Sequence, residues 1–304
     1  MSIPSEVEPF ELAVVARGVA RMSVAELAAM RKQPPACFSV KLNPLFLKHS
    51  DEQTLAALAA LYRARAEFGM EDEDFGPWAV VSISRFLGRA AFGVMLDKFV
   101  AEGAWGVSVQ VIPHRTAHSV SGTISLGLGM HGPAIGANGG HESENTGLLA
   151  LAGIMRQAAW RGVWLVSSKW LPEAGFDRKG QAGPDSVCVA SALALVHAGH
   201  PRPWGYLRFE PAERFDANSN NRVEADRDAG LLEYIFEEER REPPHRVWRR
   251  SLANGLRIEL GLSACERTRT GSVAGRKSPE KDGFREVPVP ILSHPPTDAA
   301  GVSS

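Results

Sequence analysis

The chain has 304 residues, 34 basic against 35 acidic side chains for a net charge of −1, and 44% hydrophobic residues. That is an ordinary globular composition with apolar material for one or two cores. The balanced charge excludes nucleic acid and anionic membrane surfaces as partners, because both need a basic excess.

In chain order, Phe10 to Val19 reads as a strand and Met22 to Lys32 as a short helix ended by Pro34 and Pro35. A firmer helix starts after Ser50, where Ser50 and Gln53 have capping-box spacing, and Leu55, Leu58 and Tyr62 share a face; it fades at Gly69. The acidic run Glu71 to Asp74 reads as a solvated loop. Trp78 to Ser84 is a continuous apolar run, as in a buried parallel strand. Ser84 and Arg85 are expected to open the next helix, with Phe92, Leu96 and Phe99 as its inward stripe. Periodicity leaves the type of 104–128 open. A strand at Gly132–Ala137 then meets a polar corner, Asn138-Gly-Gly-His141-Glu142-Ser143, and a helix runs to about Trp160 with Leu148, Leu151 and Met155 on one face.

Val163 to Ser168 reads as another buried strand, and 178–185 as a surface loop. Ser186–Val196 and Trp204–Phe209 are expected to pair antiparallel across a short turn-rich link. Glu224 to Arg241 reads as a polar surface helix and Arg246 to Leu262 as one more amphipathic piece. Residues 266–304 hold five prolines and one aromatic residue, Phe284, too little to offset the entropy of ordering, so disorder is expected. Strands alternating with helices predict an α/β sandwich. The expected organisation is an N-terminal segment (1–35), a main domain (36–245), a short extension (246–265) and the tail (266–304).

Glu6, Glu8 and Glu11 precede the first apolar run, the reverse of a signal peptide's charge order, and no stretch is apolar enough to span a bilayer. A cytoplasmic protein without membrane insertion is expected. Cys37, Cys188 and Cys265 are isolated, an odd set that builds neither a disulfide framework nor a zinc knuckle. Cys188, in an apolar strand, reads as a packed thiol.

Several motifs fail on context. Gly127-Leu-Gly129-Met-His-Gly132 matches GxGxxG but precedes a strand instead of opening a helix, so it reads as a turn and no dinucleotide cofactor is expected. His114 and His118 have the spacing of two ligands on one helix face but lack a third, so no metal is expected. Asp216 begins like a calcium loop, yet Asn221 and Arg227 stand where glycine and glutamate are needed. The corner at His141 is the feature closest to chemistry: strand, tight turn and helix N-terminus make a nucleophile elbow.

From about Trp78 to Glu173 the chain resembles the N-terminal half of the β-ketoacyl synthases, condensing enzymes of the thiolase fold. The blocks are Val80–Arg85, His118-Ser-Val-Ser-Gly122-Thr-Ile-Ser125, Gly132-Pro133, the corner with its helix, Val163–Ser167 and Leu171-Pro172-Glu173. It is most similar to short ketosynthase-like, chain-length-factor-like subunits such as those of aryl polyene clusters. The resemblance implies a thiolase-like half: a layered α/β/α sandwich with a mixed, mostly parallel sheet. Active relatives carry a cysteine at the elbow, where this sequence has His141. They also take two histidines from a second half that the residues after Phe209 do not resemble. A thiolate forms a thioester that keeps its carbonyl electrophilic, whereas imidazole would give a labile acyl-imidazole.

The resemblance therefore implies a non-condensing subunit paired with a full-length ketosynthase, with an acyl carrier protein as a further partner. His141, Glu142 and Ser143 would line or plug the elbow, and His118 would stand near it. Two alternatives are an acyl-transfer or thioester-hydrolysing enzyme using His141 or Ser143 with Glu142 as base, and a relic binding or scaffolding domain.

Overall fold

The long apolar run near the N-terminus forms an interior strand of the sheet, paired on both sides. A computed structural model describes residues 8–32, 44–108, 112–140, 142–157, 159–173, 176–177, 180–201, 203–211, 230–239, 247–252 and 255–263. Its elements are β1 (Phe10–Ser23), α1 (Val24–Lys32), α2 (Pro44–His49), α3 (Glu52–Glu67), β2 (Trp78–Arg85), α4 (Arg89–Glu102), a 3₁₀ turn (Gly103–Gly106), α5 (Ile112–Arg115) and α6 (His118–Leu128). There follow β3 (Ala134–Gly139), α7 (Ser143–Met155), β4 (Gly162–Leu171), β5 (Val187–His197), β6 (Gly205–Pro211), α8 (Leu231–Glu239), β7 (Val247–Ser251) and β8 (Leu256–Leu262). The tail expected to be disordered, 266–304, and the rejected calcium loop at Asp216 lie outside the described residues.

The strands form one mixed sheet in the order β3-β2-β4-β5-β1-β6-β8-β7. The α/β layering matches expectation. The balance of strand directions does not: β2 runs parallel to β3 and β4, while every other pairing is antiparallel. Nor do β5 and β6 pair with each other. β1 lies between them, its Val14 opposite both Leu195 and Gly205. A short link suggests a hairpin, but β1 offers each strand a longer partner. The 246–262 segment is the β7–β8 hairpin and continues the sheet from β6.

Alternating side chains supply two cores. Trp78, Val80, Trp164, Val166, Ala190 and Ala192 face α3 and α6, and Ala79, Val81, Val163, Leu165, Leu193 and Leu195 face the side of α7 and α8. Where β1 pairs with β5, the register shifts between Val14 and Ala16, a bulge that moves Ala16 and Ala20 to the α3 side while Leu12 and Val14 face the other way. Small residues on both surfaces bring α3 against the sheet. At Gly18 a Cβ would lie 2.3 Å from the Ala60 carbonyl oxygen, so only glycine fits.

Four local expectations need correction. The N-cap of α3 is Asp51, whose side chain accepts from the Gln53 N–H; Ser50 is the buried residue before it. The corner helix α7 ends at Met155, short of Trp160. The surface helix expected at 224–241 is described only as α8, and its Leu231, Leu232, Tyr234 and Ile235 are buried. Most consequential is α4, whose predicted inward stripe faces out. Phe92 is 38% exposed, Leu96 63%, Phe99 52% and Val100 78%, and Trp105 in the adjoining turn is fully exposed. Apolar spacing marks a face that wants cover without saying whether this chain supplies it.

Candidate functional site

Where β3 ends, its last residues are tied to the end of β2. Phe86 N–H donates to the Gly139 carbonyl at 2.9 Å, and the Asn138 amide grips Leu87 at both backbone N–H (2.9 Å) and carbonyl (3.2 Å). Phe86 holds φ +53°, a left-handed backbone rare for a bulky residue, and a Cβ on Gly140 would stand 3.6 Å from its ring. Arg85 and Arg89 both stack on that ring. The strand–turn–helix corner is therefore built as an elbow, with an aromatic ring beside it that sequence spacing did not flag.

Of the sequence candidates, His141 lies outside the described residues. Ser143 is buried, and its Oγ donates to the Gly140 carbonyl oxygen at 2.8 Å. Glu142 is exposed and accepts from the Asn145 side chain at 2.6 Å. The serine proton is held by a carbonyl and the carboxylate is turned to solvent, so these two do not form a nucleophile–base pair. His118 opens α6 on the flank of β3, where a Cβ on Gly136 would lie 1.9 Å from the Ala117 carbonyl oxygen; the His118 ring is exposed and lies along Gly122. His114 is on α5, so the two histidines share no helix face. Gly129 is the left-handed C-cap of α6, which makes the GxGxxG segment a helix exit. Cys188 is fully buried in β5, and burial first, then Asp51 and Glu52, raises its thiol well above the ordinary range.

The elbow borders a cavity of about 160 Å³ whose lining includes Arg85, Ser143, Glu144, Lys169, Glu233 and Arg250; neither Glu142 nor His118 reaches it. It lies at the carboxyl ends of β2 and β4, the end of an α/β sheet where ligands bind. Beneath it a polar row crosses the sheet. Ser84 and Ser168 hydroxyls meet at 3.1 Å, Ser168 donates to Gln53, and Gln53 donates to the Arg85 carbonyl. Burial, and then Arg85, lowers the pKa of Lys169. A lysine within the apolar run VWLVSSKWL was the available sequence signal for this pocket. Nearby, Arg115 pairs with Asp51 at 3.0 Å and Glu52 at 3.3 Å, and Arg31 with Glu52 at 2.6 Å. Burial and Glu52 raise Asp51; burial opposes ionisation of Glu52 as well, but Arg31 and Arg115 lower it.

No family model and no curated protein sequence matches this chain. Solved structures do. A chain of AntDE:AntF (apo), a type II PKS acyl-carrier protein in complex with its ketosynthase bound to the hexaketide, is 12% identical with a TM-score of 0.54, over 84% of this chain and 100% of that one. The fold is that of the ketosynthases. Also similar is a chain of the ketosynthase (ApeO) in complex with its chain length factor (ApeC) from Xenorhabdus doucetiae, at 13% identity and a TM-score of 0.45 over 84% and 98% of the two chains. The ishigamide ketosynthase/chain length factor follows at 14%, 0.43, and 67% and 68%. No helix among the described residues is long and apolar enough to cross a membrane.

Proposed function

We propose that this chain is a non-condensing ketosynthase-like subunit. It pairs with an active full-length ketosynthase in a fatty-acid or polyketide-type pathway and shapes the pocket that receives the growing acyl chain. The observation that carries this reading is the uncovered apolar surface of α4 and its following turn. Phe92, Leu96, Phe99, Val100 and Trp105 form a contiguous stretch of chain whose exposure is costly unless a partner covers it. The open edge of β3, at the end of the sheet, supports the same reading, since an edge strand is a ready template for another chain.

The elbow supports the non-condensing part. Position 141 is histidine, and Cys188 is walled into β5 with a thiol that resists ionisation. Ser143 and Glu142 face different partners, which disfavours the hydrolase alternative. An acyl carrier protein is the natural donor of the acyl groups such a pair would handle, and the carrier protein in the AntDE:AntF complex supports that choice.

Co-expression with a ketosynthase encoded beside it tests the proposal. A 1:1 heterodimer is expected, with acyl-thioester condensation that requires the partner's cysteine and is unaffected by Ser143→Ala in this chain. A stable monomer in the presence of that partner, or thioester turnover by this chain alone that Ser143→Ala abolishes, would refute it.

A further inference from the structure

Three charged contacts gather beside the elbow. Glu144, in the first turn of α7, accepts from the backbone N–H of Leu231, the first residue of α8, and from the guanidinium of Arg250 in β7. Lys169, at the carboxyl end of β4, pairs with Glu233 in the first turn of α8. One carboxylate on the corner helix thus grips two elements from much later in the chain, and the lysine grips the first of them again. The Glu144 and Lys169 side chains are 15% and 11% exposed while Glu233 is 37% exposed, so the Glu144 contacts are the better shielded of the three. Glu144 also places a negative charge on the N-terminus of α8, where the helix dipole favours it.

We infer that these contacts bolt α8 and β7 over the elbow, and that the bolted cavity excludes an acyl chain, so that in the proposed pair the acyl chain is held on the partner's side. The bolt stands on geometry alone; the placement of the acyl chain rests on the proposed function. Apolar chains need apolar walls. Entering here, one would strip water from Arg85, Lys169 and Arg250 and from two carboxylates without returning a hydrogen bond.

Hydrogen–deuterium exchange on the isolated full chain tests the bolt. Lys169→Glu and Glu233→Lys each set like charges face to face and should speed exchange of the 231–239 amides about tenfold or more. The double variant Lys169→Glu/Glu233→Lys restores opposite charges and should return the rate to within about threefold of wild type. Amides of β4 and β5 report whether the fold is intact. Should the charge reversals disturb those strands, Glu144→Gln is the milder probe and should loosen α8 and β7 together. Unchanged exchange in the variants that fold, or a double variant as fast as the singles, would overturn the bolt.

The exclusion is read with cis-parinaric acid. Wild type should show no saturable binding that Ser143→Trp removes, whereas Lys169→Met/Glu233→Leu should gain it. Such binding by wild type would overturn the exclusion. Neither measurement uses the partner, so a failed heterodimer leaves both results standing.

Discussion

Across β1, β6, β8 and β7, directly opposed residues read Glu11, Arg208, Glu259 and Arg249, alternating charges that each meet a partner within 3 Å or hand on to the next strand. At the other end of the sheet, around β3, β2 and β4, the surface includes α4 with its uncovered phenylalanines and the bare tryptophan. The antiparallel half presents to solvent groups that water and neighbours already satisfy. The parallel half presents groups that water disfavours. One half is finished as folded; the other leaves apolar groups bare, and under the proposed pairing that contrast puts the expected interface at α4 instead of along the ion-paired row.

The strongest way to break that contrast is to charge the exposed face. Leu96→Glu, Phe99→Asp and Trp105→Asp together should weaken pairing with the ketosynthase by about 1,000-fold or more, since buried aromatic anchors dominate interfaces. Thermal unfolding of the isolated chain should stay nearly unchanged, because these side chains pack on little within it. A variant that pairs normally, or one that melts far earlier alone, removes α4 from the interface. Titration calorimetry and a melting curve suffice.

The same helix shows what the sequence could and could not disclose. Its spacing of Phe92, Leu96 and Phe99 is real, but periodicity reports only that a face is apolar, and the partner that would cover it is not written in this chain. The buried strands at Trp78–Ser84 and Val163–Ser168 were legible because a continuous apolar run bounded by turns admits few other fates. Strand neighbours were not. That β1 divides β5 from β6 depends on which surfaces meet in three dimensions, and a short link carries no information on that. The corner was legible as strand, turn and helix, whereas its walls were not, because Arg85, Glu144, Lys169, Glu233 and Arg250 come from five separate elements. Asp51 and Ser50 are adjacent residues with equal capping chemistry, so only geometry chooses between them.

A second test compares buried and surface charge within the two halves. Arg115 reaches Asp51 and Glu52 at the N-terminus of α3, and the Asp51 side chain is almost wholly buried. Arg115→Met leaves that carboxylate without its cation and should cost about 3–5 kcal/mol in urea unfolding, the range for an uncompensated buried charge. Asp51→Asn in the same background should recover part of the loss by removing the stranded charge. If Arg115→Met is neutral, the α3 end is as solvated as the charged row, and the halves differ less than their burial indicates.

The smallest effect is expected on that row. Arg249 meets Glu259 at 2.8 Å, but Glu259 also accepts from the Tyr206 hydroxyl at 2.6 Å and stands directly across from Arg208. Burial and the bond to Glu259 push Tyr206 up to about 12, so it remains a protonated donor throughout the neutral range. Arg249→Ala therefore removes one of several supports from a carboxylate that keeps the Tyr206 hydroxyl and has Arg208 directly across from it, and should cost less than about 1 kcal/mol, shrinking further in high salt as the exposed end of the pair is screened. A loss above about 2 kcal/mol that ignores salt would make the row an anchor comparable to Arg115, and the antiparallel half would then owe its independence to buried electrostatics instead of to a surface content with water.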